Sequence, residues 1–218
     1  MSELRRVIIQ HYGYFIAFLV CAVAATVFVS FDEKIDGFLQ LNSLHHPLTD
    51  VVFRQVTLLG DGLFSIFTAL AILFIWKHHR LALHIAIAFL ISGIMAQLFK
   101  NIIAAPRPKE IIDPILFGSF FKGVTSAGWD SFPSGHTTSI FALATIIALH
   151  VNNKWYSLLL LVAAVLVGYS RIYMGCHFPA DVIAGALLGT VTAVLVYTFI
   201  NFKQRVPTAF AKATAVKG

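Results

Sequence analysis

Apolar and polar positions alternate along this chain in long blocks, not at the two-residue period of a strand. Apolar runs extend from about Tyr12 to Ser30, Leu63 to Trp76, Leu81 to Ala104, Ser134 to Val151, Trp155 to Tyr173 and Pro179 to Asn201. Crossing a bilayer as a helix takes about 20 apolar residues. The pattern predicts an all-α polytopic membrane protein with six transmembrane helices. It forms one domain over residues 1–218, with a short head at 1–11 and a basic, mobile tail at 203–218.

The polar breaks sharpen this outline. Between the first two runs stand Asp32, Glu33, Asp36, His45, His46, Asp50 and Arg54. Ile35, Phe38, Leu39 and Leu41 fit one side of a short helix lying in the membrane interface. Thr49 or Asp50 is placed to cap a second one. Gly60-Asp61-Gly62 breaks the chain before the second run, with Asp61 as its cap. Lys77-His78-His79-Arg80 and Asn152-Asn153-Lys154 are tight turns. Pro106 and Pro108 end the third run, since proline cannot continue a helix. The connection up to Pro133 is long, and its Phe117, Phe120, Phe121 and Trp129 suit the membrane surface. Gly185 and Gly189, four residues apart, allow a neighbouring helix to approach closely. The first run follows Arg5 and Arg6 as a signal peptide would, but it is long for one and is read as an uncleaved helix.

Composition excludes a soluble enzyme. The chain is 58% hydrophobic and 12% charged, against about 25% charged in soluble domains. Its formal charge of +6 forms no basic stripe and no nucleic-acid motif, so nucleic acid is not an expected partner. The basic residues sit at the ends of apolar runs. Six crossings put Arg5, Arg6, Lys77, Arg80, Lys154, Lys203, Arg205, Lys212 and Lys217 on one side, which the positive-inside rule makes cytoplasmic. The opposite side carries Lys34, Arg54, Lys100, Arg107, Lys109, Lys122 and Arg171. Cys21 and Cys176 suggest no disulfide framework. No Cys/His cluster has metal-ligand spacing, and no cofactor is expected.

Three stretches carry chemistry, all at run ends on the non-cytoplasmic side. The first runs from Lys100 to Arg107 and Pro108. The second is Pro133-Ser134-Gly135-His136, where Ser134 caps a helix and Gly135 lets backbone approach a ligand. Unpaired N–H groups at a helix start favour an anion, phosphate in particular. The third is Ser170-Arg171 through His177 to Asp181. A helix starting at Pro179 puts Asp181 one turn from His177, where a carboxylate can fix the imidazole tautomer and free the other nitrogen for attack. Together these residues supply what phosphoryl transfer without a metal requires: cations for the equatorial oxygens, a nucleophile and a proton donor.

As a set, the three stretches resemble the type 2 phosphatidic acid phosphatase family, which shares its site with the vanadium haloperoxidases. Lys, six residues, Arg-Pro is met by Lys100, Arg107 and Pro108. Pro-Ser-Gly-His is met by Pro133 to His136. Ser-Arg, five residues, His, three residues, Asp is met by Ser170, Arg171, His177 and Asp181. The resemblance implies the family's helical bundle. It implies that His177 is the nucleophile forming a phosphohistidine, that Asp181 orients it, and that His136 is the general acid. It further implies that Lys100, Arg107, Ser134, Gly135 and Arg171 bind phosphate and that no metal takes part. The small size is similar to that of bacterial lipid phosphatases acting on isoprenyl diphosphates, phosphatidylglycerophosphate, phosphatidate or lipid A phosphates. The expected setting is a bacterial inner membrane, with the site on the non-cytoplasmic face. A phosphotransferase using the same site is the alternative. A transporter fits less well, because transporter charges lie near the midplane and these lie at run ends.

Overall fold

The computed structural model describes residues 3–31, 33–113, 127–151 and 153–215, with side chains as far as 202. Every regular element among them is helical. In chain order these are Glu3–Gln10 (α1), Tyr12–Phe31 (α2), Lys34–Asn42 (α3) and Pro47–Val56 (α4), followed by a 3₁₀ turn at Thr57–Gly60. Then come Gly62–Phe74 (α5), His79–Ile103 (α6), Pro108–Ile111 (α7), Gly135–His150 (α8), Lys154–Tyr173 (α9) and Pro179–Ala215 (α10).

The bundle is organised around α8. It is apolar on all sides, and residues on every side of it are buried, from Thr137 and Ile140 to Ala148 and Leu149. A helix with no polar face has to be walled in, and α5, α6, α9 and α10 do so. The tightest neighbour is α10. A Cβ on Gly185 would lie 2.7 Å from the Ser134 carbonyl oxygen, and one on Gly189 would overlap the Thr138 carbonyl. Only glycine admits backbone at that approach, as the four-residue spacing led us to expect. α2 is peripheral, with Tyr14 its one buried residue, and Tyr14 Oη bonds Thr145 Oγ1 on α8 at 2.8 Å. The outer surface is apolar: Leu19, Phe67 and Ile102 are among its many exposed side chains. Apolar exposure on this scale is stable only against lipid.

Among the described residues, four helices are long and apolar enough to cross a membrane, and Pro47–Gly60 with Gly62–Phe74, bent by 60°, makes a fifth if the pair is one span. The expected count of six is therefore not reached by length, since α8 has only 16 residues. Other boundaries also differ. The head is helical from Glu3, and its Val7 packs against Leu149 and Val194. The second interfacial helix is capped by His46, whose Nδ1 accepts from Leu48 N–H, in place of Thr49 or Asp50. The tail continues α10 as far as Ala215 instead of leaving the helix at Lys203. Asp61 caps α5 through Leu63 N–H at 2.9 Å, as expected. Phe117, Phe120 and Phe121 lie outside the described residues, while Trp129 is exposed. Cys21 is exposed and Cys176 buried, and no disulfide joins them.

At the end of the bundle away from the three motifs, His84 Nδ1 and His150 Nε2 are 3.1 Å apart and Arg80 pairs with Asn201. At the motif end, α3 clamps the turn after α9. Asn42 donates to the Ile172 and Tyr173 carbonyls at 3.0 and 2.7 Å, and Phe38 packs edge-on against Phe178. This clamp fixes the segment that carries His177.

Candidate active site

The end of α9 sets the site's geometry. Gly175 takes a left-handed φ of 67°. Cys176 N–H returns to the Arg171 carbonyl at 2.9 Å, and Gly175 N–H to Ile172 at 2.9 Å. This is a Schellman ending, which glycine permits without strain. It turns the chain sharply enough to carry His177 back over the bundle and start α10 at Pro179. Asp181, in the first turn of α10, accepts from Phe178 N–H at 2.9 Å. It therefore caps its own helix in capping-box fashion, as well as facing His177.

His177 is buried at 2% exposure. Burial pushes its pKa down to about 4, with the Asp181 carboxylate pulling the other way. The ring is therefore neutral near pH 7. Its Nδ1 stands 3.7 Å from Asp181 Oδ2, too far for a hydrogen bond. Ser131 fills the gap: its Oγ lies 3.3 Å from His177 Nδ1 and donates to Asp181 Oδ2 at 2.5 Å. The expected direct contact between His177 and Asp181 is thus replaced by one through a hydroxyl. Burial pushes the neighbouring Cys176 thiol up, so it stays protonated and is no rival nucleophile.

Around this imidazole the sequence-predicted residues converge. Arg171, in the last turn of α9, is buried. Its NH1 donates to Thr57 Oγ1 at 2.7 Å, and its Nε has no hydrogen-bond partner. A buried guanidinium N–H left unpaired is costly, and an anion would satisfy it. His136, in the first turn of α8, lies in the electrostatic range of Arg171, Asp61, His177 and Lys100. Ser134 caps α8, accepting from Thr137 N–H at 3.4 Å and from Thr137 Oγ1 at 2.9 Å, and its own N–H is tied to the Asp181 carbonyl at 3.0 Å. A Cβ on Gly135 would meet nothing within 4 Å, so the helix start opens onto free space. Lys100 and Arg107 complete the rim, with side chains only 12% and 11% exposed.

Asp130 holds those two cations, and sequence reasoning did not single it out. Arg107 grips its carboxylate through Nε at 2.8 Å and NH2 at 3.1 Å, while Lys100 Nζ donates to its carbonyl at 2.8 Å. The fork lowers the Asp130 pKa to about 2. Two backbone bonds hold the segment in place, Arg107 N–H to Gly128 O at 2.9 Å and Ser131 N–H to Ala105 O at 3.0 Å. The signal for Asp130, Ser131 and Thr57 was faint. Asp130-Ser131 directly precedes Phe132 and the Pro133–His136 motif, and Thr57 precedes the Gly60 break, but no spacing marks any of them.

The comparisons with known proteins agree with this geometry. The family model described as the PAP2 superfamily matches residues 81–205, more than half of the chain and all three motifs. The chain belongs to the PAP2 superfamily. It is 33% identical over 165 residues to a lipid A 4'-phosphatase of Porphyromonas gingivalis, covering 73% of this chain and 70% of the relative. It is 35% identical over 121 residues to an undecaprenyl-diphosphatase of Sulfolobus acidocaldarius, covering 55% and 56%. Among solved structures, a transmembrane PAP2 type phosphatidylglycerolphosphate phosphatase from Bacillus subtilis superposes with a TM-score of 0.64 at 27% identity, over 88% of this chain and 96% of that one. This PAP2 protein is thus a membrane-embedded phosphoric ester hydrolase.

Proposed function

We propose that this PAP2 enzyme hydrolyses a phosphomonoester or diphosphate of a membrane lipid through a phosphohistidine on His177. The observation that carries the reading is the convergence of cations, a helix start and the unpartnered Arg171 Nε on one buried, neutral imidazole. The relatives support the substrate class, because their names share a phosphate carried by a lipid while the lipids differ.

In the first step His177 Nε2 attacks phosphorus and the bond to the lipid oxygen breaks. Lys100, Arg107, Arg171 and the N–H groups at Gly135 and His136 neutralise the equatorial oxygens, and His136 delivers a proton to the departing oxygen. In the second step a water molecule loses its proton to His136 and attacks the phosphohistidine, releasing phosphate and restoring both rings. The charge that a metal ion would otherwise supply comes from the side chains.

This reading places α8 and the bent α4–α5 pair as crossings beside the four long helices, giving six in one domain. The site then faces away from the cytoplasm of a bacterial inner membrane. The test is phosphate release by purified protein against a panel of lipid phosphates in excess chelator, with and without vanadate. Turnover in chelator and loss of turnover with vanadate are expected. Strict dependence on an added divalent ion would sink the mechanism.

A further inference from the structure

We infer that Ser131 is a positioning residue that relays Asp181 to the nucleophile and fixes the His177 tautomer. The inference deepens the phosphohistidine reading and rests on it. Ser131 is fully buried, so no water competes for its hydroxyl. That hydroxyl has one proton, and the nearest strong acceptor is the Asp181 carboxylate at 2.5 Å. A carboxylate outcompetes a neutral imidazole for a hydroxyl proton. The contact of 3.3 Å between Ser131 Oγ and His177 Nδ1 then joins two acceptors unless Nδ1 carries a hydrogen. The chain therefore runs from Nδ1–H to Oγ and from Oγ–H to the carboxylate. With the ring proton held on Nδ1, the lone pair is left on Nε2, the nitrogen that attacks phosphorus.

The same geometry explains why Asp181 needs a relay. Its Oδ2 already accepts the Phe178 N–H, which holds the carboxylate against its own helix start and 3.7 Å from the ring. When Nε2 bonds to phosphorus the ring gains positive charge, and Asp181 stabilises that charge across the hydroxyl. Ser131 N–H is also bonded to Ala105 O, and the preceding residue is held by Lys100 and Arg107. The segment that sets the tautomer is thus the one that places two of the phosphate-binding cations.

The test uses the full chain in detergent or nanodiscs with ¹⁵N-labelled histidine. The His177 signals are assigned by their loss in His177→Ala. In the wild type Nδ1 should be protonated and Nε2 bare. Ser131→Ala should lower kcat by about 10–10²-fold, less than the about 10⁴-fold that follows removal of an orienting carboxylate itself. It should leave KM within about threefold, because Ser131 touches no phosphate, and the ring should shift towards Nε2–H. Ser131→Thr, which keeps the hydroxyl, should restore the tautomer and most of the rate. A wild-type ring protonated on Nε2 overturns the relay, and this measurement stands even if Ser131→Ala does not fold. So does a folded Ser131→Ala with unchanged kcat, or one with lost kcat and an unchanged tautomer. Turnover that survives His177→Ala would instead remove the phosphohistidine reading beneath it.

Discussion

The two histidines differ in what surrounds them, and substrate chemistry can separate their roles. On the proposed mechanism His177 attacks phosphorus in every turnover, so His177→Ala should abolish hydrolysis of lipid and nitrophenyl phosphates alike. As the proposed general acid, the His136 side chain should matter chiefly as far as the leaving oxygen needs a proton. An alkoxide needs it strongly and a nitrophenolate hardly at all. General acid catalysis contributes about 10²–10⁴-fold, or roughly 3–5 kcal/mol. His136→Ala should lose most turnover of an alkyl phosphate lipid and a much smaller factor with nitrophenyl phosphate. Equal fractional losses in a folded variant would take His136 out of the acid role. Burial of His177 has a second consequence. Its folded pKa of about 4 lies below the usual histidine value of 6.5. As pH falls between those values the unfolded chain takes up a proton that the folded chain refuses, so stability is lost on acidification. Thermal midpoints between pH 7 and 4.5 should fall further for the wild type than for His177→Ala, and a parallel fall would refute the assignment.

At the scale of elements, the contact between α8 and α10 decides whether the site exists. Asp181 and Ser134 are brought together by backbone approach at Gly185 and Gly189. Gly189→Ala should destabilise the protein by about 1–3 kcal/mol through overpacking. Gly93→Ala, where a Cβ meets nothing within 4 Å, should be neutral or stabilising, because alanine is the better helix former by about 1 kcal/mol. Equal thermal midpoints for the two variants would contradict the packing. The close approach was legible in the sequence, since helical spacing of small residues has one common use in membranes. So were the ends of α6 and α9 and the start of α10, where apolar runs are interrupted abruptly by Pro, Gly or charge. Asp130 and Ser131 were not, because their partners are 23 to 50 residues away. Only the tertiary fold brings them to Arg107, His177 and Asp181. The cap at His46 was missed because a ring nitrogen did the work usual for a carboxylate or hydroxyl. The helix at Glu3–Gln10 was missed because its apolar residues are too few to read as a span.

For the molecule as a whole, charge and chemistry are divided between two ends. Lys100, Arg107, His136, Arg171, His177 and Asp181 gather where α6 and α9 end and α8 and α10 begin. Arg80, His84, His150 and Asn201 gather at the other end of the same helices. On the proposed topology the positive-inside rule takes the second end as cytoplasmic, and the site would then face the outer leaflet. Two positions can test this. Trp129 is 61% exposed beside Asp130, and His79 is exposed at the start of α6. With Cys21 and Cys176 replaced, Trp129→Cys in intact cells should react with a membrane-impermeant thiol reagent. His79→Cys should react only after the membrane is opened. Labelling yield, not activity, is the readout, so the outcome does not depend on which lipid is the substrate. The parent without cysteine should stay unlabelled in both states. Reaction of His79→Cys in intact cells with Trp129→Cys protected would invert the topology and place dephosphorylation on the cytoplasmic leaflet. Reaction of both positions in intact cells would put them on the same side, and the division of the bundle into two ends across a bilayer would fall.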